Sequence, residues 1–152
     1  MIQPSEIVNN LVTALRAIPS LVTAMGELED SIFAYSDQFP HNSSLHRAIH
    51  QMPLPSIMAV WMGTQPGRNG GMSFWQHRVT LYVRAGNATD AYASVFRLIT
   101  KTVPTGYGNT LLYEQIHASC EAMDIPSIQR QTDAEGLDYF EIPLTFQEIG
   151  DD

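Results

Sequence analysis

The first apolar pattern along the chain is helical. Ile7, Val8, Leu11, Val12, Leu15 and Ile18 recur at three- and four-residue spacing, which puts them on one stripe of an α-helix. Pro4-Ser5-Glu6 predicts its start, with Ser5 as the cap and Glu6 beside the positive end of the dipole; Pro19 predicts its end. Leu21 to Met25 suits a second short helical turn. Ile32 to Tyr35 reads as a short strand running into turn chemistry from Asp37 to Ser44. Ser44 then caps a brief helix through Leu45, Ile49 and Met52, stopped by Pro53 and Pro55.

Ile57 to Met62 is a continuous apolar run of strand length. The segment Gly63 to Gly71, with its glycines and Pro66, predicts irregular backbone. From Trp75 to Ala85 the period becomes two: Val79, Leu81 and Val83 alternate with Arg78, Thr80, Tyr82 and Arg84, so one face is wet or meets something polar. Together these segments predict a hairpin with an unusually long tip. A second long helix follows, capped by Asn87 or Thr89. Ala91, Tyr92, Val95, Phe96, Ile99 and Val103 form its stripe, with Lys101 in its last turn and Pro104 at its end. Residues 105–109 read as a glycine-rich loop and residues 111–121 as irregular or helical.

The last pattern is the cleanest. Phe140, Ile142, Leu144 and Phe146 alternate with Tyr139, Glu141, Thr145 and Gln147, so the first set faces a core and the second does not. This arm pairs with a partner arm from Ile125 to Gln131 across a turn at Asp133 to Gly136. The expected fold is α+β: a mostly antiparallel four-stranded sheet with two main helices on one face, in a single domain over residues 1–152.

Composition narrows the function. Charged residues are 16% of the chain, below the roughly 25% usual for globular domains, which points to burial against other subunits. Eight basic residues oppose sixteen acidic ones, for a net charge of −8, so no basic stripe for nucleic acid can be built. Cys120 is the sole cysteine and no intrachain disulfide can form, consistent with a reducing compartment. The N-terminus lacks a signal-peptide pattern, and no membrane partner is expected.

Candidate chemistry is thin. His46 and His50 are spaced for a shared helical face, with Asp37 and His41 nearby, but Arg47 stands where the zinc-protease pattern has glutamate, and its cation opposes a metal. His117 and Cys120 have nucleophile–base spacing without an orienting third group. Gly106-Tyr107-Gly108 follows a helix rather than a strand, so no dinucleotide fingerprint stands. No catalytic, metal or cofactor residue is assigned, and no enzyme activity is expected. Met52, Met58, Met62 and Met72, with Phe74 and Trp75, enrich the middle of the chain in the soft and aromatic side chains of interface centres. Arg68, Met72, Phe74 and Trp75 at the hairpin tip are the expected self-association contacts.

The order of these segments resembles the tail terminator, or tail completion, proteins of long-tailed bacteriophages. The parts that carry the resemblance are the opening helix "SEIVNNLVTALRAIP", the hairpin arms "PSIMAVWMG" and "WQHRVTLYVRA", the helix "DAYASVFRLITKTVP" and the closing hairpin "IPSIQRQTDAEGLDYFEIPLTFQEIGD". The resemblance implies a virion protein, assembled in the host cytoplasm and placed at the tail–neck junction. Such a subunit forms a homo-oligomeric ring, a hexamer, on the tail tube protein, stops tube growth and offers a surface to the head connector. Another neck, head-completion or minor tail protein is the alternative, followed by a small cytosolic enzyme or a ligand-binding module. DNA crossing such a ring without specific binding would be repelled by an acidic lumen. Asp133, Glu135 and Asp138 are the candidate lining, being crowded at one hairpin tip without paired cations.

Overall fold

A computed structural model of the chain describes residues 3–17, 19–26, 31–35, 44–69, 71–84, 122–124, 129–132 and 138–149. The helices are α1 (Pro4–Arg16), α2 (Pro19–Ala24) and α3 (Leu45–Gln51). The strands are β1 (Ile32–Ala34), β2 (Ser56–Asn69), β3 (Met72–Arg84), β4 (Ala122–Asp124), β5 (Gln129–Thr132) and β6 (Asp138–Ile149). The second long helix expected over 91–103, and the loops around it, lie outside the described residues.

The fold is α+β, with a sheet broader than the expected four strands. Its order is β1-β2-β3-β6-β4, and β5 also pairs with β6. β4 lies against residues 145–147 of β6 and β5 against residues 138–141, so the two short strands share one edge. The pairing is antiparallel except at β1, which runs parallel to β2. The long irregular tip does not form. β2 keeps its ladder to Asn69, which pairs with Met72, so only two residues of the sequence separate the paired ends. Backbone pairing overrides the poor strand propensity of Gly63 and Gly67. Pro66 is tolerated because β2 extends well past the three residues of β1 and has no neighbour on that side among the described residues.

α1 forms as its stripe requires, but its start differs. Pro4 is the first helical residue and Gln3 the cap, with no side-chain cap bond, so Ser5 lies inside the first turn. Proline at the first position costs nothing, since its missing N–H would lack an intrahelical partner. α1 ends at Arg16, and Pro19 opens α2 rather than closing α1. Ser44 does cap α3: its hydroxyl oxygen accepts from the Arg47 amide at 3.2 Å.

Both faces of the sheet carry an apolar cluster. On one, Leu11 and Leu15 of α1 and Leu21 of α2 pack on Ile57, Leu81, Ile142 and Phe146. On the other, Ala48 and Ile49 of α3 and Met52 just past its end pack on Phe33, Met58 and Tyr82. Ile142, Leu144 and Phe146 are buried as expected, and Phe140 is half-buried against the same cluster. Tyr139 departs from the expected pattern. It packs against the second cluster, 6.0 Å from Tyr82 between ring centroids, because that face is also covered.

Two arginines tie elements together. Arg16 donates from Nε and Nη2 to the Ile32 carbonyl at 3.0 and 2.7 Å, fixing the end of α1 to β1. Arg84 is buried, and its Nη1 donates to the carbonyls of Ile49, His50 and Met52 at 3.3, 2.8 and 3.0 Å. This is the polar contact that the alternation in β3 left room for.

Burial pushes the Tyr82 phenol up to about 12, and the Glu141 carboxylate and Tyr139 add to the rise. A raised folded value means stability that is complete below the unfolded value of about 10 and lost as pH climbs through about 12. Denaturant unfolding on the two sides of this window should show a loss of roughly 1–3 kcal/mol. Tyr82→Phe should remove most of that loss. An equal alkaline loss in the variant would assign it to other groups.

Candidate functional site

The distal half of the β2–β3 hairpin gathers most of the features that the fold alone does not require. A bulge opens it. Trp61 pairs with Val79 and Gly63 with Arg78, leaving Met62 as the extra residue. Gly63 takes φ +150°, a backbone state that side-chain-bearing residues avoid, and the Arg78 guanidinium lies over it. In a regular strand, residues three apart point to opposite faces. The inserted residue cancels one alternation, so Trp61 and Thr64 project from the same face, the one that holds α1.

That juxtaposition builds a chain of hydrogen bonds across three strands. Trp61 Nε1 donates to Thr64 Oγ1 at 3.0 Å, and Thr64 Oγ1 lies 2.9 Å from His77 Nδ1. His77 Nε2 lies 2.8 Å from Glu148 Oε2. The His77 side chain is fully buried, and that of Glu148 is 16% exposed. The indole can only donate, and an ionised carboxylate can only accept. With Nδ1 as acceptor and Nε2 as donor, the chain runs in one direction: indole N–H to hydroxyl oxygen, hydroxyl hydrogen to Nδ1, and Nε2–H to Glu148.

Hydroxyl, imidazole and carboxylate in series have the connectivity of a nucleophile with its base and orienting group. Here the imidazole is sealed inside the sheet and the hydroxyl oxygen already receives the indole N–H. The arrangement acts as a clasp between β2, β3 and β6.

Outside the clasp the surface is apolar. Trp61 and Met62 are 43% and 44% exposed, unusual for large hydrophobic side chains. A cavity of about 300 Å3 lies beside Trp61, walled by Pro4 and Val8 of α1, Tyr35 and Val60. It opens where β1 ends and β2 continues. From Ser56 to Gly67 the strand carries no charged residue.

The expected contact residues fall on this hairpin, within strands and not on a loop. Arg68 pairs with Ser73 and Met72 with Asn69, and the side chains of Arg68 and Met72 lie outside the described residues. Phe74 is half-buried over Gly67, where any Cβ would overlap its ring. Trp75 is half-buried opposite Pro66 and Glu148. Trp61, Thr64, His77 and Glu148 escaped the sequence reading. The His77–Glu148 contact joins residues 71 apart, and only the strand register brings them together.

At the other hairpin, Asp138 is not without a cation. Arg130 Nη2 pairs with its Oδ2, and the Thr132 hydroxyl donates to its Oδ1 at 2.7 Å. Cross-strand register sets Thr132 against Asp138 and seats Arg130 beside them. Asp133 and Glu135 lie outside the described residues, as do Asp37, His41, His117 and Cys120. His50 lies on α3 with His46, whose side chain is outside the described residues. Among the described residues no three His, Cys, Asp or Glu side chains gather as a metal site, and no helix is long and apolar enough to cross a membrane. Comparison of the sequence with models of known families and with curated proteins returned no match.

Proposed function

We propose that this chain is a structural subunit that assembles with copies of itself into a ring and performs no catalysis. The observation that carries this reading is the free stretch of β2. From Val60 to Gly67, beyond its pairing with β1, it is uncharged, unpaired on its outer side among the described residues, and exposes Trp61 and Met62. Monomeric proteins blunt such edges with charge, and an apolar, uncharged edge suits coverage by another subunit. The resemblance to phage tail terminators supplies the rest: a hexameric ring that caps the tail tube, ends its growth and joins it to the head connector. In such a ring DNA passes without specific binding. The acidic lining rests on Asp133 and Glu135, since Arg130 offsets Asp138.

Sedimentation velocity combined with electron imaging tests the reading. The expected result is annular particles far above the 16.9 kDa of one chain. Replacing Trp61 and Met62 together by serine should dissociate them while far-ultraviolet circular dichroism stays unchanged. A wild-type chain that remains monomeric at high concentration overturns the proposal. Rings that bind no tail tube end would favour another neck or minor tail protein.

A further inference from the structure

We propose that Thr64, His77 and Glu148 are positioning groups for Trp61: a hydrogen-bonded chain rooted inside the sheet sets the indole on the outer surface and thereby sets how tightly copies of this chain associate. The inference rests on the self-assembly reading and adds residues that touch no partner.

The argument begins with the cost of an exposed tryptophan. An indole that is 43% exposed on an open strand would ordinarily sample several orientations. Immobilising such a side chain on association weakens binding, and preorganisation removes that cost. Here the indole is held before any partner arrives. Its N–H meets Thr64 Oγ1 at 3.0 Å, and that oxygen is fixed 2.9 Å from an imidazole with no exposure. The imidazole is held in turn by Glu148 at 2.8 Å on β6. Thr64, His77 and Glu148 sit on three different strands, so the sheet register holds the anchor to which the bulge brings Trp61.

The bulge at Met62 is what makes the chain possible. Without the extra residue, Thr64 would point to the opposite face from Trp61 and the indole would have no buried anchor. The same insertion leaves Met62 exposed beside Trp61. A Trp61 fixed in this orientation also forms one wall of the 300 Å3 cavity, with Val8 and Val60 among the others, so the clasp keeps that cavity open. A clasp that only stabilised the sheet would not need to end on a surface indole.

The test separates orientation from assembly. In a Trp75→Phe background Trp61 is the only tryptophan, and its emission and anisotropy report its mobility, while association is measured in the chain that keeps Trp75. Thr64→Val keeps the shape and deletes the hydroxyl. It should red-shift the emission, lower the anisotropy and weaken association roughly 3- to 10-fold by sedimentation. Thr64→Ser should restore both readouts, which a general packing defect would not. Should Thr64→Val fail to fold, Glu148→Ala cuts the far end of the same chain without touching β2. Unchanged emission, or changed emission with unchanged association in a chain whose parent assembles, overturns this inference alone. A parent chain that is monomeric overturns the assembly reading itself.

Discussion

Truncating Phe146 to alanine is expected to destabilise the fold by about 3–5 kcal/mol. Its side chain is 2% exposed and is among the largest fully packed side chains of the core. It sits opposite His77 on β3 and Met123 on β4, where the apolar cluster under α1 gives way to the polar clasp. Removing the ring forfeits its transfer free energy and leaves a cavity that paired strands on both sides cannot collapse into. The cavity would also border the imidazole, exposing the clasp to water. Gln147→Ala, one residue along and on the exposed side, should cost less than about 0.5 kcal/mol. Phe140→Ala should fall between them, because that ring is only half-buried. Urea or guanidinium unfolding of the three variants checks the order. Equal losses at Phe146 and Gln147 would mean that the β6 register is displaced by one residue.

That comparison also marks where the sequence was legible. The alternation in β6 and the stripe of α1 are strong because each has a buried face under one continuous cluster. A single face imposes a simple period. β3 was half-legible. Val79, Leu81 and Val83 announced their face, but Thr80, Tyr82 and Arg84 are buried too. Their polar atoms disguised a face covered by α3. β2 was misread beyond Met62, since glycine and proline signal a loop when neighbours in space are unknown. The clasp was illegible for a related reason. Trp61 and Thr64 share a face only through a bulge, and bulges leave no period to detect. The acidic tip was read as unpaired because Arg130 and Asp138 meet only through the register of β5 on β6.

Arg84 carries the other large expected effect: Arg84→Ala should cost roughly 2–4 kcal/mol and act first on α3. α3 has only seven residues, too few to persist on propensity, so its stability comes from packing and from its ends. Its N-terminus is served by Ser44, while the carbonyls of Ile49, His50 and Met52 at the other end turn toward the sheet and meet the Arg84 guanidinium. The Ile49 carbonyl also accepts from the Met52 amide at 3.3 Å, the guanidinium serves all three, and a cation there complements the negative end of the helix dipole. Deleting the side chain leaves acceptors unsatisfied where water enters poorly, and their desolvation cost then falls on the folded state. Arg84→Met, which refills the volume, should recover the packing share and not the hydrogen bonds. Arg84→Lys should recover part of both, since one ammonium can reach some but not all of the three carbonyls. Amide hydrogen exchange distinguishes this from a general loss: protection in α3 should fall at Arg84→Ala before protection in β3 and β6 does. If α3 and the central strands lose protection together, or if Arg84→Met is as stable as the parent, the guanidinium is not what holds this helix to the sheet.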